Sequence, residues 1–88
     1  ALKNGLVNHV VPAAEVMPRA LAIADAICEN GPLAVRLVKE AVYAGLSLPF
    51  EEGLQFENGQ SRKVLGSEDA REGPLAFAQK RKPVYHGR

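Results

Sequence analysis

Ser67-Glu68-Asp69-Ala70-Arg71-Glu72-Gly73-Pro74-Leu75-Ala76-Phe77-Ala78-Gln79-Lys80-Arg81-Lys82-Pro83 carries the clearest helix signals in the chain. It reads as a short capped helix that turns at Gly73-Pro74, presents Phe77, and ends in Lys80, Arg81 and Lys82. A Ser or Asp ahead of a helix accepts a bond from the unpaired N–H groups of the first turn. Asp69 with Glu72 three residues on has capping-box spacing, with Asp in the Ser/Thr place. Acidic residues at the start and cations at the end both suit the helix dipole. From Leu75 to Arg88 there are four Lys/Arg and no Asp/Glu, a one-sign patch beside an aromatic ring.

Upstream, glycine and proline divide the chain into further helices. Ala14 to Glu29 carries Val16, Ala20, Ile23, Ala24, Ile27 and Cys28 at spacings of three and four, the one-face pattern of an amphipathic helix. Pro18 lies near its front, where a proline is tolerated, and Asn30-Gly31-Pro32 ends it. Pro32 then opens a helix to about Ala44, with Leu33, Leu37, Val38, Ala41 and Val42 on its apolar side and Gly45 as its stop. Pro49 opens another, with Phe50, Leu54, Ser61, Val64 and Leu65 expected inward. Gly53 and Gly59 each weaken it by about 1 kcal/mol relative to Ala. At the front, Ala1-Leu2-Lys3-Asn4-Gly5 reads as the last turn of a helix stopped by a glycine. Leu6 to Val11, closed by Pro12, is a short extended segment with no partner strand. The expected fold is all-α: four to five helices in a small bundle, with residues 1–12 as a helix end and linker and 13–88 as a helical domain with a basic tail.

Eighty-eight residues make at most one domain. A chain this short buries only roughly 60–65% of its unfolded surface and is marginal unless it packs on something else. A net charge of +1 gives no global pull toward nucleic acid or a membrane, and four cations in one tail without a reading motif are a weak footprint for either. Cys28 is the only cysteine, so no internal disulfide forms; its place in an apolar stripe predicts a buried, inert thiol. No apolar run approaches the ~20 residues of a membrane span. The opening residues lack the charged and apolar regions of a secretory signal. A cytoplasmic protein is expected.

Few constellations could carry chemistry. Glu51 and Glu52 are adjacent, so on a helix they point about 100° apart and cannot face each other across a substrate. Glu68, Asp69 and Glu72 fit capping better than acid–base work. His9 and His86 lie at opposite ends of the chain, and no ligand spacing implies a metal. No G-x-S-x-G elbow, G-x-G-x-x-G turn or P-loop is present. On its own residues the chain is not a catalyst, and no cofactor is implied. Phe77 and Lys80, three apart on a helix, would share a face and could offer an apolar wall and a cation to a phosphorylated ligand. Alternatively Phe77 fills core and the lysines answer the helix dipole.

The run from Ser67 to Arg88 resembles the C-terminal end of the enoyl-CoA hydratase/isomerase (crotonase) superfamily, whose pattern there is close to S-x-D-x-x-E-G-x-x-A-F-x-E-K-R-x-P. Gln79 departs from its usual Glu. Gly5-Leu6-Val7-Asn8-His9-Val10-Val11-Pro12, Pro32-Leu33-Ala34-Val35 with Lys39, and Pro49-Phe50-Glu51-Glu52-Gly53-Leu54 are similar to the family's upstream blocks, in the same order. The resemblance implies trimers, or pairs of trimers, of a spiral α/β core followed by a helical C-terminal domain. In such enzymes two backbone N–H groups stabilise an enolate-like oxyanion, carboxylates move protons, and those groups belong to the core. It further implies that Phe77 and Lys80 reach the coenzyme A bound to a neighbouring subunit, with Arg81 and Lys82 as solvent-facing or trimer-contact charges. The expected role is therefore trimerisation and one edge of the acyl-CoA site, in partnership with the chain's own N-terminal core. The alternative is a free-standing helical interaction module without activity. The reaction within the family, whether hydration, isomerisation or another, is not fixed by these residues, although the ending is also similar to that of carnitinyl-CoA dehydratases.

Overall fold

Gly31, Gly45 and Gly66 each stand where a helix begins or stops, and four α-helices follow that punctuation. A computed structural model describes residues 1–88. A 3₁₀ turn at Ala13–Glu15 leads into α1 (Val16–Cys28), followed by α2 (Pro32–Gly45), α3 (Phe50–Leu65) and α4 (Glu68–Ala78), with no strand. The architecture is all-α, as expected. Pro32 occupies the first turn of α2 after Gly31, and Glu51 and Glu52 occupy the first turn of α3 after Pro49. Pro32 removes one orphan donor of a helix start, and the two glutamates suit the positive end of the α3 dipole without a side-chain cap bond.

The front of the chain is a turn, with no helix before Ala13. Gly5 has φ +75°; its N–H donates to the Leu2 carbonyl at 3.1 Å, and that of Leu6 to Ala1 at 2.9 Å. This bond pair ends helices through a left-handed residue.

Packing is where the sequence-based reading needs correction. The α2 and α3 helices form the main pair, α3 touches α4 lightly, and α1 packs chiefly against the 3₁₀ turn before it. Where α2 and α3 approach, a Cβ built on Gly53 would stand 3.7 Å from Gly45 Cα, so the two glycines admit a close backbone approach. Farther along, the buried Gln60 donates to Glu40 at 2.7 Å and accepts from Lys63 at 2.9 Å, a polar tie between the two helices. Phe50 and Leu65, expected inward, are 78% and 75% exposed. They help line an open apolar groove of about 620 Å³ on the α2–α3 face, together with Leu37, Val42 and Leu54. Cys28, expected buried, is exposed with the rest of α1's apolar stripe, because no other helix lies against it. Helical periodicity identified the apolar faces; the α2–α3 contact buries Leu37, but most of those faces stay uncovered within the chain.

The result is a slab of 41 × 40 × 17 Å. Its radius of gyration is 16.6 Å, against about 12 Å for a compact domain of this length. Leu37 and Ala76 are the only buried hydrophobic residues.

Candidate functional site

The sequence reading pointed to the far end of α4, and two carboxylates of that helix, Asp69 and Glu72, hold the chain that follows it. Ser67 caps the helix start: its Oγ accepts the Ala70 N–H at 3.1 Å. The helix does not turn at Gly73-Pro74 but runs unbroken through them to Ala78. A mid-helix proline forfeits one backbone bond, and here the following chain folds back along α4 and adds others. Asp69 accepts the backbone N–H groups of His86 at 2.8 Å and Gly87 at 2.7 Å, while its own N–H donates to the Arg88 carbonyl at 2.9 Å. Tyr85 lies across two glycines. A Cβ on Gly73 would meet its hydroxyl at 3.2 Å, and one on Gly31 would stand 3.8 Å from its ring.

Glu72 ties the same strap one turn later. It accepts both terminal nitrogens of Arg81, the second at 3.0 Å, and the Val84 N–H at 2.8 Å. The Arg81 guanidinium, followed by the Val84 N–H, holds the Glu72 carboxyl down at about 2, from an ordinary 4.5. The same pairing raises Arg81. Asp69 and Glu72 therefore do not form the capping box that their spacing resembles. Both are spent on the tail.

Phe77 and Lys80 end up close along the chain but not on one helical face. Phe77 is in the last turn of α4 and 87% exposed. Lys80 lies beyond the helix, in the left-handed region at φ 53°. Its N–H donates to the Phe77 carbonyl at 3.1 Å and that of Arg81 to Ala76 at 3.0 Å, a Schellman closure with lysine where glycine is usual. The shared-face geometry is thus replaced by a turn that sets the lysine just past the ring. Of the three consecutive cations, Arg81 is committed to Glu72, whereas Lys80 and Lys82 form no ion pair. Arg81 is tied to Glu72 within the chain while its side chain stays 39% exposed. A helix C-terminus repels anions, so any attraction for an anion here comes from Lys80 and Lys82. Sequence inspection missed Glu72 and Arg81 as partners because they stand nine residues apart and across a chain reversal. Pro83, shortly after the cations, was the available signal that the helix ends before Lys80.

The fold and site together are a thin layer of helices whose basic end is strapped to α4. The chain belongs to the enoyl-CoA hydratase/isomerase family, whose sequence profile matches residues 1–88. It is 41% identical over 88 residues to enoyl-CoA hydratase EchA19 of Mycobacterium tuberculosis, covering all of this chain and 33% of that protein. It is 47% identical over 92 residues to carnitinyl-CoA dehydratase of Proteus mirabilis, covering 100% of this chain and 35% of the relative. Among solved structures, enoyl-CoA hydratase from Bacillus anthracis superposes with a TM-score of 0.95 at 42% identity, over all of this chain and 34% of that one. The chain thus spans about a third of the length of the relatives it matches. No helix is long and apolar enough to cross a membrane.

Proposed function

We propose that this chain is the helical C-terminal domain of an acyl-CoA hydratase/isomerase-type enzyme, serving trimer assembly and one edge of the coenzyme A site. One observation carries the assembly role. The chain exposes 7354 Å², whereas a compact monomer of 9.5 kDa exposes about 5,000 Å². The excess is on the scale of an obligate interface, and much of it is apolar: the α1 stripe and the α2–α3 groove. Those faces suit the enzyme's own core and neighbouring subunits. Phe77 and Lys80 supply the ligand-facing part, an apolar ring and an uncommitted cation for the phosphorylated handle of an acyl-CoA. Hydration or related enolate chemistry belongs to the complete enzyme, and this segment alone is inactive. The expected setting is the cytoplasm.

Sedimentation of the isolated chain tests the assembly role directly. Concentration-dependent association or an expanded, broadly melting species is expected. A compact monomer with a sharp cooperative melt would refute it and favour the free-standing module. Crotonyl-CoA hydration by the pure chain would refute the assignment of catalysis to the remainder of the enzyme.

A further inference from the structure

We infer that Glu72 is a positioning residue for Lys80, holding the turn that aims this lysine at an anionic ligand. The inference rests on the proposed coenzyme A contact and adds to it a residue that touches no ligand. Lys80 adopts φ 53°, a conformation that side chains with a Cβ disfavour and glycine adopts freely. Glycine would serve the turn better, so a lysine here needs its neighbours to hold the backbone in place. Both neighbours are fastened. Arg81 Nε donates to Gln79 Oε1 at 2.7 Å, across Lys80, and an Arg81 terminal nitrogen also donates to the Lys82 carbonyl at 3.2 Å. Arg81 is in turn gripped through two nitrogens by Glu72, which also takes the Val84 N–H. One carboxylate therefore anchors the chain on the far side of the turn, at Arg81 and at Val84. Lys80, between two tethered residues, is left with no side-chain bond of its own.

The sign of one substitution separates this role from simple electrostatics. Glu72 is an anion near a site for an anion. By charge alone, Glu72→Gln strengthens ligand binding. If Glu72 positions Lys80, the same change weakens binding, because the turn loosens and the lysine loses its aim. The experiment is titration calorimetry of free coenzyme A against the complete enzyme carrying this segment, at low and high salt. Lys80→Ala, Glu72→Gln and their combination are compared. Each single change is expected to weaken binding about three- to tenfold at low salt and less at high salt, with the double variant no weaker than Lys80→Ala. Arg81→Lys keeps the charge but loses the two-pronged grip. It is expected to reproduce the loss, and it stands in should Glu72→Gln prove misfolded by circular dichroism. Unchanged or tighter binding by the folded Glu72 variant, or by Arg81→Lys in its place, with Lys80→Ala still weakened, overturns the positioning role alone. Unchanged binding by Lys80→Ala overturns the coenzyme A contact and the positioning role with it.

Discussion

Asp69→Asn is the sharpest test of the strap, because it changes the chemistry of one buried group with almost no change of shape. Asp69 is 7% exposed, and each of its carboxylate oxygens takes a different backbone N–H, from His86 and from Gly87. An asparagine keeps one oxygen and turns an NH₂ toward the other N–H, so donor faces donor. One charge-assisted bond is lost and the other weakened. A hydrogen bond to a charged group contributes roughly 1.5–3 kcal/mol net, so about 2 kcal/mol is the expected loss of docking energy. At 1.4 kcal/mol per factor of ten, that is about a 30-fold shift toward the undocked tail. Amide hydrogen exchange in the assembled protein reads this directly, since local opening sets the exchange rate. The His86 and Gly87 amides should exchange about 30-fold faster while the α2 and α3 amides hold their rates. Asp25→Asn, at an exposed position whose side chain makes no bond, serves as the control. Unchanged exchange at His86 and Gly87 would refute the strap, and uniformly faster exchange would mean Asp69 supports the whole fold instead.

Two further outcomes are expected. The Glu72 carboxyl is depressed to about 2 from 4.5 by Arg81 and the Val84 N–H. The docking it contributes is therefore full above about 4.5 and lost as pH falls from there through 2. The Val84 amide chemical shift should follow this titration, and Glu72→Gln should abolish it. In the complete enzyme, Phe77→Ala and Lys80→Ala should raise KM with kcat nearly unchanged, the pattern for lost uniform binding. Lys80→Ala is expected to cost roughly 0.5–2 kcal/mol, shrinking with salt, while the Phe77 effect persists. A large kcat loss at unchanged KM would refute a role at the coenzyme A handle.

Local signals were legible and distant ones were not. Gly31-Pro32, Gly45, Pro49 and Ser67 marked the helix limits closely, because caps and breakers act within one turn. The apolar spacings of α1, α2 and α3 were equally legible as faces, but spacing names no partner, and Phe50 and Leu65 therefore look outward. Asp69 and Glu72 misled for a related reason. Their spacing of three is a local code, whereas their real partners, His86, Gly87, Arg81 and Val84, lie across a chain reversal. That reversal was hidden by Lys80, which occupies a left-handed position without the glycine that advertises one.

The 17 Å depth of the slab bears on the order of events in folding. A helix with its side chains is about 10–12 Å across, so this chain is little more than one helix thick. A layer that thin cannot collapse onto itself. On the proposed assembly role, its helices form early from local bonds, and docking onto another surface makes the structure permanent. When that surface belongs to the same polypeptide, the docking rate is independent of concentration. When it belongs to a neighbouring subunit, the last step is second-order and slows as the protein is diluted. Until then the apolar faces stand open, and aggregation competes with assembly.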